Sequence, residues 1–233
     1  MRIAIISDIH SNLEALTEAF EIIEQKKVDE IICLGDIIGY GANPNECLTL
    51  VRQNCKQILL GNHESVIVNP DQINDFSPNA KIAAMWTYEQ LTDENKSFIK
   101  NLPMEFKLEK LLFVHSSPFE PKEWHYIVYR EDRDFNFKFF SENICFFGHT
   151  HLPGVYTENG EAENISLDEK FLINVGSVGQ PRDHDPRLSF GLFDTELWNY
   201  ENIRAEYAIK TTSGKILSAG LPKYLAERIF VGR

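Results

Sequence analysis

Apolar residues along the chain fall into two patterns. Short uninterrupted runs, Ile3 to Ile6, Glu30 to Leu34, Gln57 to Leu60, Leu111 to Val114 and Ile144 to Phe147, suit strands buried on both faces. Between the first two, Leu13, Leu16, Phe20 and Ile23 recur at three and four residues, which predicts an amphipathic helix to about Lys27, opened by a Ser11/Glu14 capping box. Asn43 as cap, Pro44 and Glu46 announce a second helix before the third strand. Strand, helix, strand, helix, strand predicts a parallel, layered α/β start with right-handed crossovers.

Residues 65 to 103 turn helical, with Ser77-Pro78 as one start signal and Thr92 as the cap of the next helix, an insertion placed to serve as a lid. Met104 to Leu108 and Leu111 to His115 flank Glu109-Lys110 as a hairpin. Residues 118 to 140 hold eight aromatics and read as helix around Phe135 to Phe140. Runs at Val155 to Glu158, Phe171 to Val175, Ser189 to Asp194 and Trp198 to Tyr207 predict a second, largely antiparallel sheet, and Leu221 to Phe230 a closing helix. No repeat or linker breaks the chain, so residues 1–233 are expected to form a single domain, a two-sheet sandwich with outer helices.

Charge narrows the function. With 23 Lys and Arg against 35 Asp and Glu, the net charge of −12 repels polyanions, and no basic stripe stands out, so long nucleic acid is not expected as a partner. The N-terminal apolar run is too short for a secretory segment and no run approaches membrane-spanning length, which predicts a cytoplasmic protein with no membrane partner. Cys33, Cys47, Cys55 and Cys145 show no C-x-x-C spacing and are read without chemistry.

Five of the seven histidines, His10, His63, His115, His149 and His151, stand at or just past predicted strand ends, with Asp8, Asp36 and Asn62. Ligands bind at such strand ends in open α/β sheets. Imidazole and carboxylate are metal donors, and two sets sharing one carboxylate would hold two divalent ions about 3.5–4 Å apart, the spacing of metal-assisted phosphoryl transfer. Singly, Asp8-x-His10 reads as a helix cap and His115 as a core histidine; the ordered set outweighs both readings. His125 and His184 lack such company and read as surface residues.

The string Asp8-Ile-His10, Gly35-Asp36, Gly61-Asn-His63-Glu64, His115, Gly148-His-Thr-His151 resembles the calcineurin-like metallophosphoesterase superfamily in order and spacing. Gly35 to Gly41 and Asn174 to Arg182 make the chain most similar to its compact prokaryotic branch, often labelled diadenosine-tetraphosphatase-like. The resemblance implies a four-layer αββα sandwich of two mixed sheets flanked by helices. It implies that Asp8, His10 and His151 ligate one metal, that Asn62, His115 and His149 ligate the other, and that Asp36 bridges both. It further implies that His63, unligated, is catalytic and faces the scissile phosphate. Two divalent ions are expected, manganese foremost, with iron, zinc or nickel as alternatives. The implied activity is hydrolysis of a phosphomonoester, phosphodiester or anhydride of a small, nucleotide-like substrate or a phosphoprotein, by a metal-bridging hydroxide. A catalytically weak scaffold for other proteins and a nuclease are the rival readings. Protein-phosphatase relatives place an orienting Asp where this chain has Gly39, which leaves His63 without an identified partner. Arg182 and Asn62 are candidate substrate contacts. The Asn174 to Arg182 loop reads either as a structural turn or as a phosphate cradle, and Arg187 is equally open. Trp124, Tyr126 and Tyr129 read as core or lid packing, with base stacking as the alternative.

Overall fold

The computed structural model describes residues 1–233. Strands β1 (Arg2–Ile6), β2 (Glu30–Cys33) and β3 (Gln57–Ile58) run parallel, linked by α1 (Leu13–Lys26) and α2 (Pro44–Asn54). α3 (Asn62–Val68), a 3-10 turn (Pro70–Asp75), α4 (Pro78–Gln90) and α5 (Asp93–Ile99) follow. The hairpin β4 (Glu105–Leu108) and β5 (Leu111–Val114) is antiparallel, as expected. After α6 (Arg130–Asn136) come β6 (Ile144–Phe147), β7 (Gly154–Thr157), β8 (Gly160–Glu161), β9 (Phe171–Asn174), β10 (Leu188–Asp194), β11 (Asn199–Ala205), α7 (Ile209–Ser218) and α8 (Lys223–Arg228).

Two mixed sheets result, in the orders β11-β10-β1-β2-β3 and β4-β5-β6-β9-β7-β8. The expected second antiparallel sheet is corrected. β10 and β11 instead extend the first sheet, β10 lying antiparallel to β1 with Ile3 opposite Phe193. β9 runs parallel to β6, and β7 antiparallel to β9.

Alternation along each buried strand builds the layers. Ile3 and Ile5 of β1 meet Phe113, Phe146 and Ile173 of the other sheet, while Ala4 and Ile6 face Leu16 and Ile23 of α1 and Leu48 and Val51 of α2. On the far side, Leu112, Val114, Cys145 and Phe147 meet Ile127, Phe137 and Phe140. The order is helix, sheet, sheet, helix. α6 ends at Asn136, so the aromatic stretch is helical only at its start, and Phe137 and Phe140 serve as apolar anchors for the outer layer. A further cluster joins Ala83 of α4 to Ile216, Leu221, Leu225, Ala226 and Ile229, fixing the C-terminal helices against the 65–103 segment.

Candidate metal centre

Parallel pairing brings the carboxyl ends of β1 and β2 side by side, and the loops beyond them continue to pair: Asp8, His10 and Ser11 donate N–H bonds to Gly35, Asp36 and Ile37 at 3.1, 2.9 and 2.8 Å. In the second sheet, β5 and β6 end at His115 and Gly148, joined by a 2.9 Å bond from Gly148 N to His115 O. The two sheets meet where Gly148 lies against Asp8. A Cβ at Gly148 would fall 2.3 Å from Asp8 Oδ2, so only glycine allows the approach.

Through these loops Asp8, His10, Asp36 and His151 converge, as do Asp36, His115 and His149, each group with one donor atom per residue and all of these within 4.8 Å of one another. Asp36 belongs to both. His151 Nε2 lies 3.2 Å from Asp8 Oδ1, and His10 Nε2 and His115 Nε2 lie 3.7 and 3.4 Å from Asp36 Oδ2. Asn62 Oδ1 stands at the edge of the second group, 3.3 Å from His115 Nε2. Every one of these residues except Asn62 is buried.

The backbone here is unusual. Asp8, His10, Asp36, His149 and His151 all have φ between 50 and 63°, in the left-handed region that L-residues enter at a cost. Such strain persists only where the surroundings over-determine it, and it gathers at functional sites.

Backbone carbonyls hold one nitrogen of each imidazole: Ile38 O on His10 Nδ1 (3.1 Å), Leu34 O on His115 Nδ1 (3.2 Å), Gln180 O on His151 Nδ1 (2.5 Å) and Trp124 O on His149 Nε2 (3.0 Å). A carbonyl only accepts, so each held nitrogen carries a proton, and in His10, His149 and His151, which burial keeps neutral, the other nitrogen presents a lone pair. His10 Nε2 and His151 Nε2 therefore face each other, both lone-pair acceptors, 3.1 Å apart beside two carboxylates. Lone pairs and anions at that spacing repel unless a cation lies among them. The donor set fits divalent metal ions, with mixed N/O ligation and no thiolate.

Ionisation follows the same field. Burial lowers His10 and His151, and it takes His149 to about 3. For His115 burial also opposes the charge, yet Asp36 raises it to about 9. Burial resists ionisation of Asp8 and Asp36, but the facing histidines hold both below the usual carboxylate range.

His63, Asn62 and Arg182 line a cleft of about 420 Å³ opening on Asp36, His149 and His151. Gly61 to Glu64, expected as a strand-end loop, begins α3 instead. His63 N donates to Asp36 Oδ1 at 2.9 Å. Its Nδ1 is buried without a partner, and its ring packs against those of Tyr40, Phe76 and His10 at 4.7, 4.7 and 4.8 Å. Gly39, at φ +89°, explains this: a Cβ there would fall 2.2 Å from His63 Nδ1, so no orienting side chain fits.

Glu64 was visible beside His63, but its part was not legible. Fully buried, it accepts the N–H groups of Asp36 (2.8 Å), Ile38 (3.0 Å) and Gly61 (3.0 Å), tying the Asp36 loop to α3. Glu at the third helical position after a strand-end Gly was the available signal.

The Asn174 to Arg182 loop divides its two readings. Its amides are used internally, Val178 N on Ser7 O and Gly179 N on Asp8 O, both 3.0 Å, so they build the Asp8 loop and do not cradle phosphate, whereas Arg182 does line the cleft. Arg187 is paired with Asp185 at 2.6 Å. Trp124 holds His149 through its carbonyl, Tyr126 lines the cleft with its ring 4.1 Å from that of His149, and Tyr129 is 71% exposed. His125 and His184 are exposed and do not line the cleft. Tyr40, Phe76, Tyr224 and Arg228, not singled out from the sequence as site residues, complete the cleft wall.

Residues 1–197 match the calcineurin-like phosphoesterase superfamily domain. An uncharacterised protein of Methanocaldococcus jannaschii is 41% identical over 244 residues, covering 99% of this chain and 98% of its own length. The crystal structure of a metallophosphoesterase from Sphaerobacter thermophilus superposes over 100% of both chains with a TM-score of 0.87 at 37% identity. A hypothetical protein of Pyrococcus horikoshii shares the fold, with a TM-score of 0.84 at 20% identity over 100% of this chain and 98% of its own. A sandwich whose strand ends gather buried aspartates and histidines around one shared carboxylate, and a domain match over most of its length, place this chain in the calcineurin-like phosphoesterase superfamily, the metal-dependent hydrolases of phosphate esters.

Proposed function

We propose that the chain hydrolyses the phosphate ester or anhydride bond of a small phosphorylated substrate, using two divalent ions, manganese foremost. Asp8, His10, Asp36 and His151 would hold one, and Asp36, Asn62, His115 and His149 the other. The observation that carries this reading is the pair of acceptor-rich groups sharing Asp36 at the floor of a cleft. Ions bound there supply Lewis acidity, lowering the pKa of a water molecule and neutralising charge on phosphate oxygens.

The chain's own groups do the rest. His63 has one ring nitrogen enclosed without an acceptor, and a buried N–H left unpaired costs about 1–3 kcal/mol. Its proton therefore resides on Nε2, which faces the cleft and donates to a phosphate or leaving-group oxygen as negative charge develops. Arg182 adds a fixed positive charge to the same cleft lining, which disfavours protonation of His63 and His151. The cleft's size supports a small molecule, and Gly39 in place of an orienting Asp argues against a phosphoprotein substrate. Four free cysteines, three of them buried, support a reducing, cytoplasmic setting.

The test pairs activity with metal content. Manganese-loaded protein should hydrolyse para-nitrophenyl phosphate or its bis ester, and Asp36→Asn should lose both ions by elemental analysis together with turnover. Unchanged metal stoichiometry in Asp36→Asn would overturn the shared-ligand assignment.

A further inference from the structure

The arginines of this acidic protein are mostly neutralised. Arg52 pairs with Glu94 at 2.9 Å, Arg133 with Glu161 at 3.4 Å, Arg187 with Asp185 at 2.6 Å and Arg204 with Asp183 at 2.8 Å. Two in the cleft have no Asp or Glu partner. Arg182 Nη2 donates to the neutral Gln180 Oε1 at 3.0 Å, and its Nε is buried with no partner. Arg228 donates through Nε to the main-chain oxygen of Arg233, which leaves both Nη groups without a protein acceptor. The two guanidinium groups flank one ring, each 6.0 Å from the centroid of Tyr40. Asp75 also lines the cleft, but it is exposed and makes no ion pair with either.

Their order in space is also defined. Arg182 donates its main-chain N–H to His151 O at 3.3 Å, beside the metal centre, whereas Arg228 stands on α8 in the same cleft lining. Packing thus keeps two like charges about one ring, and burial, then Arg182, holds Arg228 below its ordinary value. That packing is specific: Leu225, Ala226 and Ile229 around Arg228 are seated on Ala83 of α4. Arg228 also lies beyond residues 1–197, outside the stretch that defines the superfamily domain.

We propose that Arg182 and Arg228 form a seat for a second phosphoryl group on the substrate, adjoining the one that is hydrolysed. A guanidinium fork matches phosphate oxygens two at a time, and an anion between two arginines that lack an Asp or Glu partner relieves their mutual repulsion. Arg182 adjoins the metal-centre residue His151, where the hydrolysed phosphate would lie, and Arg228 in the same cleft lining is left for a second phosphate. That group is either anhydride-linked or carried elsewhere on a bisphosphate. The inference rests on the phosphoesterase reading for the position of the first phosphate, and its test separates the two.

Binding of methylenediphosphonate and methylphosphonate to the manganese-loaded full chain is measured by calorimetry for wild type, Arg228→Gln and Arg228→Lys. Wild type should prefer the diphosphonate by about tenfold or more, Arg228→Gln should lose most of that preference, and Arg228→Lys should recover part of it. Steady-state kinetics on pyrophosphate, fructose 1,6-bisphosphate and para-nitrophenyl phosphate then identifies the linkage: Arg228→Gln should reduce kcat/KM most for the substrate whose second phosphate occupies the seat. No preference in wild type, or an equal preference in Arg228→Gln, would overturn the seat whatever the activity. A preference that depends on Arg228 in a protein hydrolysing none of the three would retain the seat and refute the catalytic reading.

Discussion

His63 is oriented by packing, its Nδ1 buried without a hydrogen-bond partner. Three rings surround it, Asp36 fixes its main chain through a 2.9 Å bond, and the missing side chain at Gly39 leaves room for the imidazole. Replacing Gly39 by Ala adds a methyl group into that ring at a φ suited to glycine. Gly39→Ala should therefore lower turnover by about 100-fold, towards that of His63→Ala, with metal content near wild type. Undiminished kcat in Gly39→Ala would show that the position of the imidazole does not matter. At this scale the sequence was partly legible. The types and order of the donors were plain, because strand ends are marked by the end of an apolar run. The role of Glu64 was not, because a buried carboxylate accepting three backbone N–H groups is recognised only once the loops that supply them are adjacent.

Among the helices, the caps separate local from long-range stabilisation. Thr92 accepts only the Asn95 N–H, at 3.2 Å, as its position before α5 predicted. The start of α1 differs from expectation: Asn12, not Ser11, is the cap, and Ser11 takes a φ of 54°. The reason is tertiary, since Ser11 N is engaged by Ile37 O while Asn12 bonds to Ala15 N (3.1 Å), Gly179 O (2.8 Å) and Thr212 Oγ1 (3.0 Å). Thr92→Ala should cost about 1 kcal/mol in urea denaturation, and Asn12→Ala clearly more, since further hydrogen bonds at about 1 kcal/mol each go with the cap. Equal costs would mean that Asn12 acts only locally. α7 went unread because Ile209–Ser218 carries Gly214 and two adjacent threonines, poor helix formers; contact of Ile216 with the α8 cluster holds it. β10 and β11 were recognised as strands but assigned to the wrong sheet. Alternation records which residues are buried, not which neighbour buries them.

For the whole molecule, the buried histidines make stability depend on pH in a direction that can be worked out. In protein stripped of metal by a chelator, burial holds His10 and His151 below their ordinary value, His63 at about 4 and His149 at about 3. Below about pH 6.5 the unfolded chain takes up protons that these four refuse when folded, so stability falls as the pH falls. Glu64, raised to about 7 chiefly by burial, opposes with a single group, and His115, raised to about 9, adds stability as the pH drops from 9 towards 6.5. The melting temperature of the stripped protein should therefore rise from pH 9 to near 6.5 and fall towards pH 4.5; a monotonic rise on acidification would contradict these environments. What the sequence by itself determined was the parallel α/β start, the donors at its strand ends and hence the superfamily, because burial and strand termination are written within a few residues of chain. Tertiary structure alone decided the sheet that receives β10 and β11, the tautomers set by four backbone carbonyls, and the arrival of Arg228 beside Arg182. Each depends on segments remote in sequence becoming neighbours, and that proximity arises only when the sheets and helices pack together.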